Sequence, residues 1–284
     1  MRNISLEELL EAGCHFGHQV TRSNPAARDF IFEARDGIHI IDLAKTKEGL
    51  EEAGAFVKNL AKKPGTNLIV VGTKRQTHEI LNAEIERVKK EIKGESGLFY
   101  VTNKWIGGLL TNFSEVSKNF KKLTDLAHKL QTPSEQEGFT KKEIGMWAKE
   151  KEKLEGFYGG VYALIQKPDA LFIIDSHLED LAVKEATKMG VPTVAIVDTN
   201  ADPALVDYAI PANDDAVGSL QLIVSYIMDA WIEGKNTVKE IKPIDNKKPT
   251  TAETQKKAET QKSSKIKPKT TVKKSKTEEI PAKK

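Results

Sequence analysis

Asn67-Leu-Ile-Val-Val-Gly72 places four apolar residues, the last three branched at Cβ, between an amide and a glycine. The run is too short for a helix and shows no polar alternation, so it reads as a strand buried on both faces. Lys74 to Lys93 follows with Ile80, Ala83, Ile85 and Val88 near one side, the pattern of a covering helix. Leu98-Phe-Tyr-Val101 is the next strand. A strand, a helix and a second strand in this order predict a parallel pair joined by a crossover.

Outward from that unit the same alternation recurs. Ala170-Leu-Phe-Ile-Ile-Asp175 and Pro192-Thr-Val-Ala-Ile-Val-Asp198 are strands, with a helix from Leu178 to Met189 between them. Tyr208-Ala-Ile-Pro211 forms a short strand before a helix from about Asp214 to Glu233. Toward the amino terminus, strands around Phe30–Phe32 and Ile38–Ile41 flank Arg35-Asp36-Gly37, whose Asp-Gly pair is a hairpin signal. Ser5-Leu-Glu-Glu8 has capping-box spacing, so a short helix is expected from Leu6 to about Ala12. The fold class is therefore α/β, a parallel sheet with helices on both faces.

The alternation breaks between Thr111 and Gly159. Phe113, Val116, Phe120, Leu123, Ala127 and Leu130 recur at spacings of three and four, a single heptad seam. Pro133-Ser-Glu-Gln-Glu-Gly138 reads as a polar turn, and a second seam runs through Ile144, Trp147, Lys151, Leu154 and Tyr158. Two narrow-seamed helices with a short connection predict an inserted antiparallel coiled-coil hairpin projecting from the sheet. Lys151 and Gly145 weaken the second seam, although a lysine can lay its stem along it.

The 284 residues suffice for about two domains at roughly 100–200 residues each. Their formal charge of +3 conceals an asymmetry. From Lys235 to Lys284 there are 16 lysines and 6 acidic residues, net +10, whereas Met1 to Gly234 holds 28 basic and 35 acidic residues, net −7. All 18 aromatics precede Lys235. A Lys-, Thr-, Pro- and Glu-rich segment buries too little apolar surface to offset about 1–2 kcal/mol of backbone entropy per residue. Residues 235–284 are expected to be disordered, either a polyelectrolyte arm or a solubilising tail. The lone cysteine, Cys14, excludes an internal disulfide framework and any Cys-rich zinc module. The opening residues lack a secretory layout, and the most apolar stretch, Leu220 to Ile232, is too short to span a bilayer. These features predict a cytoplasmic chain with no membrane partner.

Chemistry-bearing residues form no catalytic constellation. Val71-Gly-Thr-Lys-Arg75 places a glycine between strand and helix, but no phosphate-binding Gly-rich loop is present. Lys74 and Arg75 suit a polymer phosphate better than an enclosed nucleotide. Asp175 and Asp198 end strands at the carboxyl edge of the sheet, where they read as helix or turn caps, or alternatively as a metal or phosphotransfer site. Cys14, His15 and His18 lack a fourth ligand and zinc spacing, so no metal site is assigned. Thr102-Asn-Lys-Trp-Ile-Gly-Gly-Leu-Leu-Thr-Asn112 combines a cation, an indole, paired glycines and amides. It suits contact with phosphate, sugar or base, or else a buried Trp beside a glycine turn.

Seven motifs in order carry a resemblance. They are Gly13-Cys-His-Phe-Gly-His-Gln19, Gly37-Ile-His-Ile-Ile-Asp-Leu43, Val71-Gly-Thr-Lys-Arg75, Trp105-Ile-Gly-Gly-Leu-Leu-Thr-Asn112, Pro168-Asp-Ala-Leu-Phe-Ile-Ile-Asp175, Asp198-Thr-Asn-Ala-Asp-Pro203 and Ile210-Pro-Ala-Asn-Asp-Asp215. Together they resemble the family of the second protein of the small ribosomal subunit, in its bacterial form, over about Ser5 to Gly234. The resemblance implies a flavodoxin-like α/β domain (residues 1–110 and 159–234) carrying a coiled-coil hairpin (111–158), followed by the basic tail (235–284). It implies a non-enzymatic constituent of the small ribosomal subunit without cofactor. Its partners would be small-subunit rRNA, adjacent ribosomal proteins and the ribosomal protein of tandem OB domains that captures mRNA.

On that basis Arg22, Arg28, Lys74, Arg75 and Lys104 are expected on phosphates, with Asn103, Trp105 and Asn112 near sugars or bases. Lys118, Lys121 and Lys122 make a positive stripe on the hairpin, read either as an RNA contact or as a solvated helix face. The chain departs from the family pattern in Ser23-Asn-Pro-Ala-Ala27, in Lys104 where an arginine is usual, and in Gly218-Ser219 where a base is usual. Two rivals come from other classes. One is a sheet enzyme acting on a phosphorylated small molecule at Asp175 and Asp198; the other is a protein-binding scaffold whose interface is the hairpin.

Overall fold

The computed structural model describes residues 2–92 and 94–240. In chain order these form α1 (Leu6–Glu11), β1 (Phe16–Gln19), β2 (Ile31–Arg35), β3 (Ile38–Ile41), α2 (Leu43–Ala61), β4 (Leu68–Val71), α3 (Arg75–Glu91) and β5 (Leu98–Val101). Then come α4 (Phe113–Gln131), α5 (Pro133–Gln136), α6 (Lys141–Tyr158), β6 (Ala170–Ile173), α7 (Asp180–Met189), β7 (Thr193–Val197), β8 (Tyr208–Pro211) and α8 (Val217–Glu240). Three short 3-10 turns, Val20–Arg22, Pro25–Phe30 and Pro203–Leu205, complete the regular structure.

Five parallel strands form one sheet in the order β5-β4-β6-β7-β8. Numbered within the sheet this is 2-1-3-4-5, the order of flavodoxin-like doubly wound folds. Every residue of β4, β6 and β7 is buried, because helices cover both faces. Side chains alternate between the two: Leu68, Val70, Ala170 and Phe172 pack with α2, α3 and α8. Ile69, Val71, Leu171 and Ile173 pack with α7 and the base of α4. A continuous apolar run is what a strand with two dry faces requires. The free edge of β5 is closed by Gly160, whose carbonyl accepts from the Tyr100 amide at 3.1 Å. An added Cβ at Gly160 would lie 2.1 Å from the Tyr100 carbonyl oxygen, so only glycine comes this close.

A separate three-stranded antiparallel sheet runs β1-β3-β2. Its hairpin turns at Asp36 and Gly37, with φ of 51° and 80°, and pairs Arg35 with Ile38. Two consecutive positive φ values are the geometry for which Asp-Gly is suited. The first hairpin strand runs Ile31–Arg35, later than expected, because Phe30 ends the preceding 3-10 turn. β1, at Phe16–Gln19, has no alternating signal in the sequence and pairs with β3 through a register shift.

Helices α4 and α6 lie side by side. Asn119 donates to the Tyr158 hydroxyl at 3.0 Å, Lys122 pairs with Glu150, and Lys129 sits 5.6 Å from the Trp147 ring centre. Partner numbers fall along α6 as they rise along α4, so the helices are antiparallel. Val116, Phe120, Leu123 and Leu126 are buried, whereas α6 buries no residue fully. Lys151 stays half-buried and pairs with Glu155 at 3.1 Å. The expected polar turn contains α5, because Gln136 donates back to the carbonyls of Lys129 and Leu130. At the other end α8 continues to Glu240, so residues 235–240, assigned to the tail by composition, are helical. The Lys235 ammonium donates to Thr66 at 2.9 Å and lies 4.6 Å from the Trp231 ring centre, which holds the extension on the body. The remainder of the predicted tail, 241–284, lies outside the described residues.

Phe172 is wholly buried between the sheet and its helices. Phe172→Ala is expected to cost about 3–5 kcal/mol, because the site collapses only partly around the lost ring. Phe157→Ala, at an exposed position, should stay within about 0.5 kcal/mol; urea unfolding of the two variants checks both.

Candidate nucleic-acid interface

In a doubly wound sheet the ligand crevice lies beyond the carboxyl ends of the strands, where the strand order reverses. Here that point falls between β4 and β6. The chain leaves β4 through Gly72 and Thr73, and Lys74 precedes the first residue of α3. The Lys74 ammonium turns inward, 2.8 Å from Asp175, 2.9 Å from Asp214 and 2.8 Å from Asp215. Its side chain is only 17% exposed. The Asp214 contact is a close ion pair at a carboxylate that is almost fully buried. Beside it, the Thr73 hydroxyl bonds to buried Glu179. The crevice is closed by the chain's own ions.

These ions hold one another in unusual states. Burial pulls the Lys74 ammonium down, but the charge of Asp214 and the bonds to Asp175 and Asp215 outweigh it, so its pKa is raised. Burial, then repulsion from Asp175 and Asp198, pushes Asp214 up to about 7 against the pull of Lys74. His18, on β1, reaches the same edge: its Nδ1 lies 3.2 Å from Asp198, and that hydrogen bond raises the imidazole against the effect of its burial. Asp175 accepts from the His177 and Leu178 amides at 2.9 and 2.8 Å, the capping role open to it from sequence. Asp198 likewise accepts from its neighbour Thr199. His18, Asp198 and Asp214 offer atoms within 4.8 Å of one another, a set able to hold a cation, although Lys74 already supplies positive charge there. Cys14 is buried and takes no part in this set.

The Trp105–Asn112 loop resolves in a similar way. Gly108 adopts φ of 90°, and the amides of Gly108, Leu110 and Thr111 converge on one carboxylate, Glu185 of α7, at 2.6, 3.2 and 3.3 Å. Backbone donors that the sequence offers to a phosphate are thus filled by an anion from the chain itself. Trp105 is 5% exposed and belongs to the core cluster below the loop. Glu185 was not singled out from sequence, though it falls on the apolar side of α7 with Ala182 and Ala186, where a charge needs a partner.

The other expected residues lie at the surface. Arg22 and Arg28 are exposed in the last turns of two 3-10 segments. Arg75 and Lys104 are exposed after β4 and β5, adjacent strands at one side of the edge. Asn103 donates to the Gly156 carbonyl at 2.6 Å, tying the edge to α6, and Asn112 opens α4. On α4, Lys118 pairs with Glu115 at 2.7 Å and Lys122 with Glu150, whereas exposed Lys121 has no ion pair among the described residues. Along the strand order the edge therefore passes from exposed cations beyond β5 and β4 to buried carboxylates beyond β6, β7 and β8.

The family model described as ribosomal protein S2 matches residues 9–234. A protein of Roseiflexus sp. (strain RS-1), named small ribosomal subunit protein uS2, is 48% identical over 235 residues, covering 83% of this chain and 86% of that protein.

Glu185→Gln replaces an acceptor with a donor beneath three amides and is expected to cost about 1–3 kcal/mol in urea unfolding. The raised groups set a pH dependence. Asp214, ordinarily near 3.8 and about 7 here, holds its proton longer when folded, so the native state binds more protons across that window. Its contribution is fully present below pH 3.8 and is lost as pH rises toward 7. His18 has the same sign above its ordinary 6.5. The wild-type chain should lose stability relative to Asp214→Asn as pH rises through that window in parallel urea titrations.

Proposed function

The chain belongs to the ribosomal protein S2 family, whose members are structural, non-enzymatic constituents of the small ribosomal subunit, and we propose that it docks there by multipoint contact with rRNA and neighbouring ribosomal proteins. The observation that carries this reading is the match over residues 9–234. The closed crevice between β4 and β6 supports it, because Lys74 occupies the place where a small substrate would bind.

In this proposal Arg22, Arg28, Arg75 and Lys104 meet phosphates, with Asn103 and Asn112 beside them near sugars or bases. Lys118, Lys121 and Lys122 extend the contact onto α4, where Lys121 has no ion pair among the described residues. Lys74 and Trp105 act from within, fixing the β4 and β5 loops on which Arg75 and Lys104 stand. RNA helices are read chiefly by backbone shape, which scattered cations suit better than a single basic face. The residues 1–110 and 159–234 form the docking body, and 111–158 reach away from it as a coiled-coil hairpin. Residues 241–284 supply positive charge that the body lacks. The working site is the cytoplasmic ribosome, and the ribosomal protein with tandem OB domains that captures mRNA is a candidate neighbour.

The body's net charge of −7 over residues 1–234 opposes strong binding to free RNA. We expect a tagged chain to sediment with small subunits in sucrose gradients while binding naked rRNA weakly at physiological salt. Alanine at Arg22, Arg28, Lys104 and Lys121 should loosen retention, each lost phosphate contact lowering the log–log salt slope by roughly 0.7–0.9. Unchanged retention across the salt series, or a chain that stays in the supernatant, would count against the proposal.

A further inference from the structure

A second cavity opens beside β6 and β7, apart from the Lys74 cluster. It holds about 290 Å³ and is lined by Asn24, Ser176, His177, Asp180, Val183, Asp202 and Leu205. Val183 and Leu205 give it apolar walls, and Asp180 and Asp202 give it carboxylates; no lysine or arginine lines it. Ser176 is 9% exposed, and its hydroxyl has no hydrogen-bond partner among the described residues. A buried hydroxyl left unpaired is costly, about 1–3 kcal/mol, and leaves the wall of the cavity short of a polar contact. Leu178, Leu181 and Leu205, each about half exposed, stand in the same segments. Large aliphatic side chains left in water beside a polar cleft are the mark of a partner surface.

The charge decides the partner. The start of α7 by itself favours an anion, but Asp180 in its first turn and Asp202 opposite supply two negative charges. Asp202 keeps one oxygen on the Ala204 amide at 2.9 Å and leaves the other available. Among the described residues Asp180 is held by Lys184 four residues on, an exposed pair of the kind worth a few tenths of a kcal/mol and readily exchanged. Phosphate is repelled here. A guanidinium, planar and with five donors, matches the two carboxylates while its flanking residues cover the leucines. Arginine inserted in an apolar ring is also a recurrent centre of protein interfaces. At about 290 Å³ the cavity has room for one inserted side chain.

We propose that this cavity receives an arginine from an apolar segment of a neighbouring protein. The inference rests on the reading that the chain docks among ribosomal proteins, and names the chemistry of one such contact.

The test places a photoreactive benzoylphenylalanine at Leu205 in the full chain, assembled into small subunits purified by gradient. Irradiation should couple it to a protein peptide containing arginine, and Asp180→Asn with Asp202→Asn should cut that yield about tenfold or more, the loss expected on truncating a buried charge contact. Asparagine retains the oxygen that caps Ala204; if the pair nonetheless shifts the unfolding midpoint, Asp180→Asn alone carries the same expectation. Coupling to RNA, coupling to a peptide without arginine, absence of any product, or a yield indifferent to the variants would overturn the proposal while sedimentation with the subunit still held. A chain that fails to sediment with the subunit overturns the functional reading and this contact with it.

Discussion

Lys74 is the pivot of the molecule. One ammonium joins the loop after β4 to the ends of β6 and β8 through Asp175, Asp214 and Asp215. Three loops are thereby fixed at the edge where doubly wound sheets ordinarily open to a ligand. Removing one partner of such a cluster leaves buried charge without compensation, at a cost of several kcal/mol. Its attraction therefore serves to set the loops, and the loops carry the residues that face outward. Arg75 stands immediately beyond Lys74, and His18 of the small sheet is drawn to the same carboxylates.

The Glu185 carboxylate does for the β5 side what Lys74 does for the centre. It gathers the amides of Gly108, Leu110 and Thr111, seats Trp105 in the core and so aims Lys104 and Asn112 outward. In both places a feature with the look of a phosphate site, a lysine after Gly72 or a pair of glycines, is satisfied internally. A protein made to hold a small molecule would leave those donors open. A protein made to present a rigid surface satisfies them, and the family role in the small ribosomal subunit is consistent with that economy.

Much of the fold was legible because burial writes itself plainly. Leu68–Val71, Ala170–Ile173 and Thr193–Val197 are apolar without alternation, and each is a central strand. The Asp36-Gly37 turn and the Ser5 cap were equally readable, since each needs a specific side chain. β1 was not, because Gly17 and His18 carry no β signal and the strand exists through its pairing with β3. The extension of α8 to Glu240 was hidden by composition, for it is held by Lys235 on Thr66, a contact 169 residues away in sequence. The same distance problem governs the site. Asp175 and Asp198 were visible at strand ends, but that Lys74 belongs to Asp214 and Asp215 depends on β8 returning beside β7. Exposed cations such as Arg22 and Lys121 were named from their charge and the family resemblance, and the structure adds which of them are already paired.

Comparing hydrogen exchange of the chain free in solution and assembled in purified small subunits tests the docked-surface account most directly. Assembly should slow exchange in residues 20–28, 102–112 and the exposed side of α4, and leave the amides around Lys74 as slow as they already are in the free chain. Equal exchange in those surface segments in both states, with new protection confined to the crevice between β4 and β6, would contradict it.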